Sequence, residues 1–142
     1  MKTPPTVNLC NCFAVRQAAR RVTRLYEKHL AESELTSAQF SILGALAEIG
    51  QMTMQDLASA LGMDRTTLLR AMKPLQREEF LKSRPAEADP RQLMFSLSAA
   101  GERKLKQAMP LWLKAQEEFE AEVGVREANQ LRRSLLALAK SE

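Results

Sequence analysis

Residues 54–97 read MQDLASALGMDRTTLLRAMKPLQREEFLKSRPAEADPRQLMFSL, and this stretch decides the fold. Apolar side chains at helical spacing predict a short helix near residues 54–61, with Gly62 well placed as its C-cap. Asp64 can cap a second helix over about residues 65–79. The sequence therefore predicts two helices joined by a tight turn.

The second helix has two chemically different faces when its residues are placed about 100° apart around the axis. One face is apolar and comprises Leu68, Ala71, Met72 and Leu75. The opposite face is polar and basic and comprises Thr66, Arg70, Lys73 and Arg77. Pro74 removes the hydrogen bond to the carbonyl of Arg70 and is expected to bend or loosen the helix, although both faces continue through it.

The hydrophobic period then changes from about 3.6 residues to about 2, which indicates strands. Residues 81–85 are predicted to be extended, residues 86–90 to form a turn and residues 91–97 to form a returning strand, so the chain makes a β-hairpin with a charged tip. Further helices are predicted over residues 12–31, from Thr36 or Ser37 to Ile49, over residues 99–122 and over residues 126–140. The order of elements is ααααββαα, a mainly α fold with a small β-hairpin.

Length and composition place the chain among single-domain globular proteins. It has 142 residues, of which 45% are hydrophobic, 27% are charged and only 5% are aromatic, a balance that favours helices. The net charge of +4 suits a nucleic-acid partner without requiring one. The start of the chain, Met1-Lys2-Thr3-Pro4-Pro5, has no apolar signal core, and no apolar run approaches about 18 residues. We therefore expect a cytoplasmic protein with no membrane partner.

The sequence contains no catalytic or metal-binding pattern. His29 is the single histidine and has no cysteine cluster beside it, so a zinc site is not predicted. There is no Gly-rich phosphate loop, no nucleophile elbow and no visible acid–base or nucleophile pair. We therefore expect no enzyme activity, no cofactor and no metal.

The two helices and the hairpin suit duplex DNA, because the second helix of a helix-turn-helix lies in the major groove. Arginine can donate to O6 and N7 of guanine, and threonine offers both a hydroxyl and a methyl group. The candidate DNA contacts on the helix are Arg65, Thr66, Thr67, Arg70, Lys73 and Arg77, although Arg65 can equally support the helix start. Those on the hairpin, which would reach the flanking backbone or minor groove, are Arg84, Arg91 and Gln92. The alternative is a solvated basic helix face beside an ordinary hairpin, as in a helical protein-interaction module without DNA binding.

Several short motifs recur along the chain in a characteristic order. They are Leu35-Thr36 with Gln39-Phe40 and Leu43, Asp56-Leu57-Ala58 with Leu61-Gly62, Asp64-Arg65-Thr66-Thr67-Leu68 with Leu75 and Glu78, Asp89 with Arg91, and Leu97-Ser98 with Gly101. Together they resemble the MarR-type winged helix-turn-helix regulators over about residues 12–140. The resemblance implies a homodimer that binds a pseudo-palindromic operator and is modulated by a small molecule or an oxidant. It also implies that Asp89 positions Arg91, which enters the minor groove.

The resemblance divides the single domain of residues 1–142 into two parts. Residues 36–98 would form the DNA-binding winged-helix lobe, and residues 12–34 and 99–140 would form dimerisation helices. The residues support a dimer independently, because the C-terminal helices carry more apolar side chains than one small core needs. These are Leu105, Met109, Leu111, Trp112, Phe119, Leu131, Leu135, Leu136 and Leu138. A dimer also presents two DNA-binding helices about one turn of DNA apart. The alternative is that these apolar residues close a monomeric helical bundle.

The predicted function is that of a homodimeric, sequence-specific transcriptional repressor that a small-molecule effector releases from DNA. Repression is favoured because steric occlusion of a promoter needs only tight binding. Trp112 and Tyr26 are candidates for the wall of the effector pocket, with ordinary core packing as the alternative for Trp112.

The two cysteines suggest a second type of signal. Cys12-Phe13-Ala14-Val15, with Tyr26 further on, resembles the peroxide-sensing branch of the family, in which an N-terminal cysteine is oxidised and tyrosines of the partner subunit hydrogen-bond it. The sequence departs from that branch, since Arg16, Ser37 and Phe40 stand where it carries tyrosines. Nearby arginines would favour the thiolate of Cys12, and Cys10 would serve as a resolving thiol or as an intersubunit partner. The C-x-C spacing is poor for an unstrained internal bridge, and the alternative is that Cys12 is buried and inert.

Overall fold

The computed structural model describes residues 6–140, which contain six α-helices and three β-strands. They are α1 (Asn11–Leu30), α2 (Ser37–Ile49), β1 (Met52–Thr53), α3 (Met54–Leu61), α4 (Arg65–Arg77), β2 (Leu81–Pro85), β3 (Leu93–Leu97), α5 (Ala99–Val123) and α6 (Val125–Lys140). The predicted order of six helices and a hairpin is confirmed. The N-terminal tail over residues 1–5, for which the sequence predicts no signal core, lies outside the described residues.

The helices begin and end where the local sequence supplies partners for their free backbone groups. At the start of α2, the Thr36 hydroxyl accepts a hydrogen bond from the Gln39 amide at 3.1 Å, and Oε1 of Gln39 accepts one from the Thr36 amide at 3.0 Å. Ser98 caps α5 by accepting a hydrogen bond from the Gly101 amide at 3.0 Å. Gly62 ends α3 with a φ of 64°, a left-handed conformation that glycine adopts at low cost.

The three strands form an antiparallel sheet in the order β1–β3–β2. Leu81 of β2 lies opposite Leu97 of β3, and Met52 of β1 lies opposite Phe95 of β3. The prediction of a two-stranded hairpin was therefore incomplete. Two residues are too few to show a period of their own, and the strand with which they pair comes much later in the sequence.

Two predicted boundaries also need correction. The helix predicted to reach residue 79 ends at Arg77, because Glu78 leaves the helical conformation and Glu79 adopts a φ of 60°. The strand predicted to begin at Arg91 begins at Leu93, because the preceding residues belong to the hairpin turn. Pro74 lies inside α4, and the helix continues through it to Arg77.

The core holds α4 against α2, α3 and the sheet. Its fully buried side chains include Leu30, Ile42, Leu43, Leu46, Leu57, Leu68, Met72 and Leu75. Burying one such leucine stabilises the fold by roughly 1.5–3 kcal/mol, so the three core residues of α4 fix which side of this helix faces inward. The other side of α4 is left on the surface.

The N- and C-terminal helices form a second layer. α1 packs against α5, and α6 follows α5 after a break at Gly124. Every residue of α6 from Leu131 onward is exposed, including four leucines that contribute nothing to the core of this chain: Leu131, Leu135, Leu136 and Leu138. None of the helices within residues 6–140 is long and apolar enough to cross a membrane.

Candidate nucleic-acid interface

The surface of α4 carries all of the polar residues that the sequence singles out on this helix. Arg65, Thr66, Thr67, Arg70, Lys73 and Arg77 are exposed, whereas the apolar face of the same helix is buried in the core. The predicted separation of the two faces is therefore confirmed. Exposed cations and hydroxyls along one helix can contact both base edges and phosphates in a major groove.

The N-terminus of α4 is fixed by Asp64. One carboxylate oxygen of Asp64 accepts a hydrogen bond from the Thr67 amide at 2.8 Å, and the other accepts one from the Thr67 hydroxyl at 2.9 Å. These hydrogen bonds, the backbone one above all, lower the pKa of Asp64 because they favour its charged form. Because the Thr67 hydroxyl already donates to Asp64, it would meet DNA as an acceptor and through its methyl group.

The hairpin, which we call the wing (residues 81–97), has a tip organised by Asp89. Its carboxylate accepts hydrogen bonds from the backbone amide and from Nε of Arg91, both at 3.1 Å. The side-chain hydrogen bond from Arg91, followed by the backbone one, lowers the pKa of Asp89. The turn is closed by hydrogen bonds from the Gln92 amide to the Asp89 carbonyl at 2.9 Å and from the Ala86 amide to the Gln92 carbonyl at 2.8 Å. As a result, the Arg91 side chain is held at the tip while 90% of it remains exposed.

A shallow groove joins the wing to the helix-turn-helix. It has a volume of about 290 Å³ and brings Arg65 together with Arg91 and Gln92, beside Gln55 at the start of α3. Gln55 is not among the DNA contacts predicted from the sequence. Its exposed position in the first turn of α3 is the signal that could have identified it.

Arg84 differs from the other candidates because it already has a partner within the chain. Its guanidinium donates a hydrogen bond to Oε1 of Gln51 at 2.6 Å, which links β2 to the segment between α2 and β1. Arg84 is exposed, so its remaining donors are accessible. Its contact with DNA stays a prediction.

The candidate effector residues lie where α1 and α5 pack together. Trp112 stacks on Phe40 of α2, with ring centroids 5.9 Å apart and planes inclined by 19°. The Tyr26 hydroxyl donates a hydrogen bond to Gln116 of α5, and partial burial, with a smaller effect of Glu120, raises the pKa of Tyr26. Both side chains therefore take part in packing within one chain, and an effector pocket here stays a prediction.

Both cysteines are exposed in this chain, so the expectation that Cys12 is buried is wrong, while its reactivity stays a prediction. Cys10 is the N-cap of α1, and its sulfur accepts a hydrogen bond from the Phe13 amide at 3.4 Å. Within residues 6–140, no group of three or more histidine, cysteine, aspartate or glutamate side chains is placed to hold a metal ion.

A basic helix fixed above a buried core, with a hairpin beside it, defines the winged helix-turn-helix class of transcriptional regulators. The chain belongs to the MarR family, whose model matches residues 35–93. It is 30% identical over 108 residues to the HTH-type transcriptional regulator YwoH of Bacillus subtilis, a match that covers 76% of this chain and 78% of YwoH. The expected family and fold are confirmed.

Two further relatives carry more specific descriptions. The chain is 27% identical over 96 residues to the HTH-type transcriptional repressor NicR of Pseudomonas putida, which covers 68% of this chain and 61% of NicR. The M. tuberculosis transcriptional regulator MosR, solved in complex with DNA, matches with a TM-score of 0.81 and 34% identity over 92% of this chain and 94% of MosR.

Proposed function

We propose that this chain is a homodimeric transcriptional repressor that binds a pseudo-palindromic operator and is released by a small-molecule effector. The observation that carries the proposal is the exposed row of Thr66, Arg70, Lys73 and Arg77 on α4, opposite the buried face of the same helix. The DNA complex of MosR and the repressor NicR are consistent with it. As a repressor the protein would act in the cytoplasm and would need no catalytic site, cofactor or metal.

The expected contacts with DNA differ between α4 and the wing. Arg70 and its neighbours on α4 would enter the major groove, while Arg91, oriented by Asp89, would grip the flanking minor groove. Arg65 and Gln92 border the groove between these two parts and would contact the intervening phosphates. Residues 36–98 would act as the DNA-binding lobe of a single domain.

The exposed apolar residues of α6 support the homodimer. Leu135 and Leu136 are 44% and 56% exposed, and Leu138 is 63% exposed. Because several exposed leucines on one helix are costly in water, we assign them, with residues 12–34 and 99–140, to the contact with a second copy. An effector bound between this layer and the lobe would change the spacing of the two α4 helices and so release the operator.

Fluorescence anisotropy on the DNA upstream of the protein's own gene tests the DNA-binding proposal, with a scrambled duplex and a series of salt concentrations for comparison. We expect tight, salt-dependent and sequence-selective binding. Arg70→Ala should weaken operator binding by roughly 1–3 kcal/mol and relax the sequence preference if Arg70 reads a base.

Two exposed helical lysines provide a matched pair of variants. Lys73→Ala should lower the affinity and the salt dependence, whereas Lys114→Ala, with the same loss of charge on α5, should leave both unchanged. Absence of salt-dependent binding to any duplex would refute the proposal and favour a protein-interaction module. Equal losses in both variants would mean that net charge, and not the α4 face, controls binding.

Exposure of both thiols favours a second candidate, a peroxide-sensing repressor. The Cys12 thiolate would attack an organic hydroperoxide, giving a sulfenic acid and, after uptake of a proton, the alcohol. The Cys10 thiol of the same or the partner chain would then condense with the sulfenic acid to give a disulfide and water. Loss of operator binding with stoichiometric hydroperoxide, its recovery with dithiothreitol and its absence in Cys12→Ser would support this candidate. Indifference to peroxide would leave the small-molecule effector.

A further inference from the structure

Gln39 is a buried polar side chain that connects α2 to the DNA-facing helix. It is only 8% exposed, so its amide group must find partners within the protein. Oε1 accepts a hydrogen bond from the Thr36 amide at 3.0 Å, and Nε2 donates one to the carbonyl of Ala71 in α4 at 3.3 Å. The oxygen of the side-chain amide therefore caps α2, while its nitrogen is hydrogen-bonded to α4.

The contact reaches α4 at the turn in which Pro74 removes one backbone hydrogen bond. Pro74 has no N–H, so the carbonyl of Arg70 loses its usual donor four residues on. Ala71, whose carbonyl accepts the hydrogen bond from Gln39, is the next residue along the chain. Gln39 therefore supports, from outside the helix, the turn that carries the exposed side chains of Arg70 and Lys73.

The same end of α2 is also attached to α1. Oε1 of Glu27 accepts hydrogen bonds from the Ser37 amide at 3.4 Å and from the Ser37 hydroxyl at 3.2 Å. Glu27 lies in α1, and Ser37 is the first residue of α2. Polar contacts thus run from α1 through the first turn of α2 to the middle of α4.

We infer that Gln39 is a positioning residue that sets the orientation of α4 on DNA and connects it to α1 without contacting DNA itself. This inference rests on the proposed DNA-binding function. If Gln39 only capped α2, its loss would lower stability but would affect operator and non-specific DNA equally. If it positions α4, its loss weakens the contacts that depend on the exact fit of Arg70 to a base more than the contacts to phosphates.

Two substitutions in the full-length chain separate these roles. Gln39→Glu keeps a side-chain oxygen that can cap α2, since glutamate is a normal partner in a capping box, but the ionised carboxylate has no donor for the Ala71 carbonyl. Thr36→Ala does the reverse, because it removes a cap of α2 and leaves the hydrogen bond between Gln39 and Ala71 in place. Gln39→Met, which loses both contacts, replaces Gln39→Glu if the latter does not fold.

The first measurement is the ratio of affinities for the upstream duplex and for the scrambled duplex at one salt concentration. We expect Gln39→Glu to bind the upstream duplex on the order of threefold to tenfold more weakly, while its affinity for scrambled DNA changes less than about twofold. Thr36→Ala should lower the melting temperature and keep the wild-type ratio. A ratio that is unchanged in the Gln39 variant, or that falls equally in both variants, would overturn the inference.

The second measurement is amide hydrogen exchange in α4, which does not depend on DNA. Exchange over residues 70–77 should be faster in the Gln39 variant than in Thr36→Ala, because only the former loses a contact to this helix. Equal exchange in the two variants would overturn the inference. If the wild-type protein binds no DNA, the proposed function fails, and the exchange result alone decides whether Gln39 holds α4.

Discussion

Replacing Gly101 by alanine should destabilise the protein through a single backbone contact. Gly101 is buried in the first turn of α5, and a Cβ atom there would lie 2.1 Å from the carbonyl oxygen of Phe80. The two segments cannot separate freely, because the Ser98 amide donates to that same carbonyl at 3.0 Å and the Ser98 hydroxyl donates to the Glu79 carbonyl at 2.6 Å. Two hydrogen bonds from Ser98 therefore hold Glu79 and Phe80 close to the start of α5, where the new Cβ would clash.

The expected cost follows from the distance. An ordinary contact needs about 3.4 Å, so the Phe80 carbonyl and α5 must move apart by more than about 1 Å. Strain of this kind typically costs about 1–3 kcal/mol, and losing the hydrogen bond from Ser98 to Phe80 costs about 1 kcal/mol more. Alanine returns up to about 1 kcal/mol through its higher helix propensity. We therefore expect a net loss of about 2 kcal/mol in the free energy of unfolding.

Urea unfolding at a fixed protein concentration tests this value, and the chain provides its own control. Gly44 lies inside α2, and apart from its chain neighbours and the nearby backbone of its own helix no atom lies within 4 Å of the position of a Cβ. Gly44→Ala should therefore stabilise the protein by up to about 1 kcal/mol. If Gly101→Ala were as stable as Gly44→Ala, close packing of Gly101 against the Phe80 carbonyl would be refuted.

Three other perturbations have defined outcomes. Leu68→Ala, at a fully buried position of α4, should lower the free energy of unfolding by about 2–5 kcal/mol in urea titrations, and a loss below about 1 kcal/mol would contradict its place in the core. Leu135→Glu should convert the proposed dimer to monomers in light-scattering measurements, whereas a dimer that persists would place the contact elsewhere. Asp64 has a lowered pKa because Thr67 hydrogen-bonds its carboxylate. The contribution of Asp64 to stability is therefore fully present above its unfolded pKa of 3.8, and it is lost as the pH falls through the lower pKa of the folded state. Urea unfolding between about pH 6 and pH 2 should therefore show wild type losing more stability than Asp64→Asn, and parallel curves would contradict this.

The features that the sequence predicted well depend on neighbours a few residues apart. Asp64, Thr36 and Ser98 cap their helices through the amide three residues on, and this spacing is visible in the sequence. The two faces of α4 follow in the same way from the helical period. Asp89 and Arg91 are also close in sequence, so the resemblance carried their contact over correctly.

The features that the sequence did not reveal depend on residues that only the fold brings together. β1 pairs with β3 through Met52 and Phe95, and Arg84 is held by Gln51. Glu118 of α5 reaches two partners on α1, His29 at 3.3 Å and Lys28 at 3.5 Å. None of these pairs has a spacing that any local period would indicate. The same holds for the contact of Gln39 with Ala71, which shows only when α2 and α4 are packed.

The packing of α1 against α5 has a consequence for synthesis of the chain. α1 is synthesised before α5, the helix against which it packs, and the whole helix-turn-helix and wing are synthesised between them. At typical elongation rates of about 5–20 residues per second, α5 is synthesised several seconds after α1, and during this time the apolar face of α1 cannot pack against it. A nascent chain that stops at the wing can assemble the helix-turn-helix, but α1 then has only its smaller contact with α2 on which to dock. We therefore expect truncation before α5, which also removes α6, to loosen α1 by leaving it only its contacts with α2.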